Sequence, residues 1–225
     1  MSVERQSGFA QVSGARLYYE VRGNGVGVAT EVLGPDATPT PDEPLVLIHA
    51  GIADGRMWDP QLDVFAWRYR VIRYDMRGFG ATVVTERVPY SHHEDLRGLL
   101  DVLGAERALL VGCSMGAKTA IDFALEFPGR TRALVLVGPA VGGFEPDEDP
   151  PEEWDEMVAA DEAGDLERLS ELEIRVWVDG PYRGTDQVNP SVRDLVREMN
   201  LVALSNEESG VGAEGACRSE NRRSN

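Results

Sequence analysis

The sequence predicts an α/β protein built on a doubly wound, mostly parallel sheet, followed by a helical cap. Three observations carry this. Short continuous apolar runs at residues 45–48, 108–111 and 133–137 read as strands buried on both faces. Helix-like segments at residues 57–66, 93–103 and 115–127 alternate with the strands. The turns between them are short, as parallel strands with helical crossovers require.

Taken in order, residues 8–22 predict two strands around a turn at Ser13-Gly14, with Leu17, Tyr18, Tyr19 and Val21 as strand formers. Residues 23–44 are rich in Gly, Pro and Thr and read as a loop, with a strand extension open over residues 27–33. The run Leu45-Val46-Leu47-Ile48 ends at His49-Ala50-Gly51. Residues 69–74 are the next strand, and Asp75-Met76-Arg77-Gly78-Phe79-Gly80 is the loop after it. Leu96, Leu99, Leu100 and Leu103 fall at helical spacing. Residues 108–111 lead through Gly112–Gly116 straight into a helix that Pro128-Gly129 stops.

The pattern changes after Gly138. Residues 139–151 form a Gly/Pro/acidic linker, and residues 154–179 and 190–205 look helical with no strand between them. Residues 209–225 lose periodicity and nearly all apolar side chains, the composition of disorder. The expected organisation is therefore an α/β core over residues 1–140, a helical cap over 141–205, and a disordered or aberrant tail over 206–225.

The totals narrow the function. A chain of 225 residues with net charge −17 can bury a sizeable core, and its charge repels nucleic acid and anionic membranes. The carboxylate-rich stretch 145–173 reads as a solvated helical face. The two cysteines, Cys113 and Cys217, form no disulfide framework, and three histidines (His49, His92, His93) offer no metal-ligand spacing. Neither metal nor cofactor is expected. The first ten residues lack an apolar signal core and no run is long enough to cross a bilayer, so the expected location is cytoplasmic.

The chemistry concentrates in Gly112-Cys113-Ser114-Met115-Gly116. A lone Gly-x-Ser-x-Gly is a weak signal, but a buried strand before it and a helix after it make a nucleophile elbow. The sharp turn leaves no room for flanking side chains, hence the glycines. It exposes the Ser114 hydroxyl and aims the Met115 N–H at a developing oxyanion. The loop His49-Ala50-Gly51-Ile52 follows an earlier buried strand, where a second backbone N–H, from Gly51 or Ile52, completes the hole. His49 then shapes the loop and is no base. Cys113 is a small packed side chain, since a thiol displaced by one residue misses the oxyanion hole.

These residues, with Leu45–Gly51 and the Arg73–Gly80 stretch, resemble the α/β-hydrolase fold-1 family of capped serine hydrolases over residues 8–205. That family includes esterases, lactonases and cofactor-free haloperoxidase-like enzymes. The resemblance implies an α/β-hydrolase fold with a helical cap and a small carboxylic ester, lactone or similar acyl substrate. It implies Ser114 as nucleophile, with the Met115 and Gly51 N–H groups holding the oxyanion. Asp75 and Arg77 are expected to be structural. Trp154, Trp177 and Tyr182 either line a pocket from the cap or pack in its core.

The same resemblance exposes a gap. The triad order in this fold is Ser, then Asp or Glu, then His. No histidine follows Ser114, and Gly138-Pro139-Ala140 stands where an acid after the next strand is expected. The family continues after the cap with two further strands. This chain enters residues 210–225 instead, so the last strands are expected to be missing, as after a frameshift or premature stop. Residues 133–137 would then form an exposed apolar edge that invites self-association. The alternative function is a non-catalytic remnant that binds a small molecule or protein partner. Haloperoxidase-like and carbon–carbon hydrolase chemistry also stay open, because they share the elbow.

Overall fold

The computed structural model describes residues 5–23, 43–139, 141 and 150–208. The chain divides into two compact units, residues 1–142 and 143–225. The first is a seven-stranded sheet flanked by helices.

β1 (Arg5–Val12) and β2 (Ala15–Arg22) form an antiparallel hairpin. The tight Ser13-Gly14 turn joins them, and alternation along β2 buries Ala15, Leu17 and Tyr19. β3 (Leu45–Ile48) and β4 (Val71–Tyr74) are buried at every residue; β3 is apolar throughout, whereas β4 buries Arg73, whose guanidinium pairs with Glu20 and Asp59. β5 (Val83–Val84) is a two-residue strand against Ala15 and Arg16 of β2. Sequence periodicity cannot detect an element that short. β6 (Ala108–Cys113) and β7 (Thr131–Val137) each run two residues longer than their apolar cores suggest. The order is β1-β2-β4-β3-β6-β7, with β4, β3, β6 and β7 parallel and β5 alongside β2.

The helices fall close to their sequence signals. A 3-10 turn at Gly55–Trp58, capped by Asp54, precedes α1 (Asp59–Ala66), so the predicted helix start divides into two geometries. α2 (His92–Val102) buries Leu96, Leu99 and Leu100, and α3 (Met115–Glu126) follows the elbow. Leu45, Leu47, Val71 and Val111 on one sheet face pack with Trp58, Leu62 and Ala66 from the α1 side. Among the described residues β7 pairs only with β6 and ends the sheet.

The second unit contains α4 (Trp154–Glu162), α5 (Leu166–Ile174) continuing into a π turn at Arg175–Asp179, and α6 (Pro190–Glu208). The predicted helical stretch 154–179 is therefore broken. Gly164, at φ +66°, ends α4, and the Asp165 carboxylate accepts the Arg168 N–H to start α5. Met157, Ala160, Leu169, Leu172 and Leu204 form this unit's apolar cluster. Glu171 pairs with Arg193 and Arg197 along its polar side. Trp154, Trp177 and Tyr182 are 45%, 60% and 96% exposed, which rules out the core-packing alternative for them.

α6 reaches Glu208, three residues past the expected boundary at 205, because no Gly or Pro interrupts it before Gly210. The possible strand at residues 27–33, the linker acids at 145–149, Cys217 and the expected disorder of 209–225 lie outside the described residues. Among the described residues no helix is long and apolar enough to cross a membrane.

Candidate active site

The winding of the sheet places the site. From β3 the chain crosses to β4 on one side; from β6 it crosses to β7 on the other, while β3 and β6 are direct neighbours. A crevice opens at the carboxyl ends of strands where the winding reverses. The loop after β3 is His49–Ile52, and the turn after β6 is the Ser114 elbow.

Ser114 sits at φ +51°, ψ −113°, the only non-glycine with positive φ among the described residues. An L side chain there is strained by roughly 1–3 kcal/mol, and the surroundings must hold it. They do so through backbone. The Ser114 N–H donates to the Val137 carbonyl (2.8 Å), and the Lys118 N–H closes the first helical turn on the Ser114 carbonyl (3.0 Å).

The flanking glycines are required by space. A Cβ at Gly112 would come within 3.0 Å of the Gly116 carbonyl and the Ala117 nitrogen. A Cβ at Gly116 would come within 3.0 Å of the Ile48 and His49 carbonyl oxygens. The first turn of α3 thus lies directly on the end of β3. Ser114 itself is exposed.

Met115 is the first residue of α3, so its N–H has no intrahelical acceptor. Gly51 lies beside it: a Cβ built on Gly51 would be 3.5 Å from Met115 Sδ and 3.6 Å from Met115 Cβ. That is ordinary contact, so Gly51 is tolerated without being demanded by space, in contrast to Gly112 and Gly116. The structure brings Ser114, Met115 and Gly51 together.

The supporting residues were less visible in the sequence. His49 is fully buried; its Nδ1 donates to the Ala50 carbonyl (2.8 Å) and its Nε2 accepts the Met76 N–H (2.9 Å). Burial lowers its pKa to about 4. It is a neutral strut joining the β3 loop to the loop after β4. The Ala50 N–H points to Met57 Sδ (3.2 Å), a contact that no sequence spacing announces.

Asp75 accepts the N–H groups of Gly55 and Ala81, both at 2.8 Å, and burial raises its pKa to about 6. Arg77 forms a buried bidentate pair with Asp95 (2.7 and 3.0 Å) and lies 4.2 Å from the Tyr90 ring centre. Cys113 is half-buried beside the cluster around Leu47 and Trp58, and burial raises its thiol pKa, which disfavours the thiolate.

Neither remaining histidine is arranged as a base for Ser114. His92 is buried at the start of α2, and burial, with lesser repulsion from His49 and the nearby cations, lowers its pKa to about 3. His93 Nε2 lies 3.2 Å from Ser91 Oγ. Among the described residues no group of His, Cys, Asp and Glu is arranged to hold a metal.

A family model described as alpha/beta hydrolase fold matches residues 43–179. The chain is 46% identical over 74 residues to a 2-hydroxy-6-oxononadienedioate/2-hydroxy-6-oxononatrienedioate hydrolase of Comamonas testosteroni, covering 32% of this chain and 26% of that protein. It is 36% identical over 107 residues to a 2-hydroxy-6-oxo-6-phenylhexa-2,4-dienoate hydrolase of the same species, covering 43% of this chain and 36% of that protein. The structure aligns with the enol-lactonase from Burkholderia xenovorans LB400 at a TM-score of 0.66 and 24% identity, over 92% of this chain and 74% of that one. The matched stretches span between 26% and 41% of the curated relatives' lengths.

Proposed function

The chain belongs to the α/β-hydrolase fold family, and on that premise we propose that Ser114 is an acyl-accepting nucleophile for a small carboxylic ester, lactone or similar acyl substrate. The observation that carries the reading is the strained Ser114 backbone at φ +51°, maintained by close contact of α3 with the end of β3. Backbone strain of this kind persists where a reactive side chain must be presented. The names of the relatives, oxo-dienoate hydrolases and an enol-lactonase, are consistent with small carboxylic substrates.

In the proposed reaction Ser114 Oγ attacks the substrate carbonyl carbon. The carbonyl oxygen takes the electron pair and accepts hydrogen bonds from the Met115 and Gly51 N–H groups. Collapse expels the alcohol or enol oxygen, which takes up the proton lost by the serine. Water then attacks the acyl-serine and releases the acid. Both steps need a base to carry the proton, and among the described residues neither His92 nor His93 is arranged as one. Loss of the base in such a constellation costs on the order of 10⁶ in turnover, leaving residual catalysis from the oxyanion donors.

Among the described residues His49 and His93 are engaged elsewhere and His92 is buried, which favours a second reading, a hydrolase-fold protein that binds an acyl compound without turning it over. Incubation with p-nitrophenyl acetate separates the two. Slow release of nitrophenolate with acetyl accumulating on Ser114, and none in Ser114→Ala, supports the nucleophile. Equal release by both proteins removes Ser114 from the chemistry.

A further inference from the structure

The loop after β3 turns about Ala50, and both peptide planes that meet there are tied. A planar trans peptide points its carbonyl and its N–H in opposite directions, so fixing the Ala50 carbonyl also aims the Gly51 N–H. That carbonyl accepts the Ala53 N–H (3.1 Å) and the His49 Nδ1–H (2.8 Å). The first of these bonds closes a turn with Gly51 and Ile52 at its centre. The preceding peptide, between His49 and Ala50, is held in another way: the Ala50 N–H donates to the Met57 thioether at 3.2 Å.

Met57 is itself anchored. It lies in the 3-10 turn Gly55–Trp58, and its N–H donates to the Asp54 carbonyl (3.0 Å). The buried Asp54 carboxylate accepts the Arg56 N–H (2.9 Å). The Gly55 N–H donates to Asp75 (2.8 Å), which fixes the same turn to the loop after β4. The Met57 side chain packs against the cluster of Leu47, Trp58 and Leu62. A leucine would fill that space with nearly the same volume and less rotamer entropy to lose, but it could not accept the Ala50 N–H.

We propose that Met57 is a positioning residue for the Gly51 oxyanion donor, its thioether holding the His49–Ala50 peptide so that the loop keeps its place beside Met115. The proposal rests on the reading of Gly51 and Met115 as oxyanion donors to a substrate on Ser114. With the Ala50 N–H released, the loop can rotate at Ala50 and carry the Gly51 N–H off its aim. A thioether is a weak acceptor, so its loss misaims the donor without removing it. Complete removal of one oxyanion donor costs about 10²–10³ in rate, and misaiming through Met57 should cost about tenfold.

Two variants of the 225-residue chain test this, with thermal melts to show that each is folded. Met57→Leu keeps the volume and deletes the acceptor; Met57→Gln supplies an acceptor oxygen at similar reach. Exchange of the Ala50 amide hydrogen, followed by nuclear magnetic resonance, needs no chemistry at Ser114. It should accelerate about tenfold in Met57→Leu, the worth of one ordinary hydrogen bond, and slow again in Met57→Gln. The rate at which a fluorophosphonate labels Ser114 should fall about tenfold in Met57→Leu and recover in Met57→Gln. Unchanged Ala50 exchange or unchanged labelling in Met57→Leu would overturn the proposal. So would equal slowing of labelling in both variants, the mark of a side chain that only packs. A parent chain that takes no label defeats the nucleophile reading of Ser114, and Ala50 exchange then still decides whether Met57 holds the loop.

Discussion

Substituting Gly116 by alanine tests the packing that holds the elbow. In an ordinary helix this change stabilises by about 1 kcal/mol, because alanine loses less backbone freedom on folding. Here the new Cβ would come within 3.0 Å of two backbone oxygens, those of Ile48 and His49 at the end of β3. Neither is the end of a flexible side chain, so α3 or the strand end must move. Overpacking of this kind costs typically 1–3 kcal/mol, and because the obstacle is main chain we expect a net loss of about 2 kcal/mol. For a chain of this size that lowers the melting temperature by about 4–8 °C. Gly129→Ala is the control: nothing lies within 4 Å of its Cβ, and its melting temperature should stay level or rise slightly. Thermal melts followed by circular dichroism compare the two. A Gly116→Ala protein that melts with or above Gly129→Ala would refute the account of how the elbow is held.

Other expectations follow from the same contacts. Ser114→Gly removes the strain at φ +51° and should raise the melting temperature by about 2–4 °C, whereas Ser114→Ala, which keeps the Cβ, should leave it unchanged. Arg77→Met leaves Asp95 buried without its bidentate partner and should cost about 3–5 kcal/mol in urea unfolding, more than the exposed pair Arg97–Glu94 loses on Arg97→Met.

The buried histidines' contribution to stability should fall on acidification from pH 6.5 toward 4. His49 and His92 have folded pKa values near 4 and 3, below the unfolded 6.5, so their contribution is complete above 6.5 and is lost as pH falls through that window. Asp75 acts oppositely. Its folded pKa near 6 exceeds the unfolded 3.8, so its contribution is present below 3.8 and lost as pH rises through 6. Asp95, whose pKa burial also raises, opposes the histidines in the same sense; each histidine contributes a slope of about 1.4 kcal/mol per pH unit, so His92→Gln should lower the slope between pH 4 and 6 by about that amount, and urea titrations showing no change in slope would contradict it.

The parts of the fold readable in the sequence are those whose signal is local. Leu45–Ile48 is apolar because both of its faces are covered, and 112–116 announces a sharp turn by its paired glycines. What the sequence conceals is distance in space. The reason Gly116 is glycine lies 67 residues upstream, at the His49 carbonyl. The ring of His49 is occupied by the Met76 N–H, 27 residues away, which no spacing along the chain reveals. Gly51 was read as a site of close approach, yet its neighbour is the flexible Met115 side chain, which leaves room for a Cβ. β5 and the break at Gly164 escaped because each rests on one or two residues, fewer than a period of either structure.

The central claim is that the elbow presents Ser114 as a nucleophile even though, among the described residues, no histidine is arranged beside it as a base. Labelling the folded 225-residue chain with a fluorophosphonate, followed by peptide mass analysis, tests it most directly. The account predicts a slow, single covalent adduct on Ser114 that disappears in Ser114→Ala and on unfolding in urea. A folded protein that gains no adduct at Ser114, or gains it equally when unfolded, would contradict it.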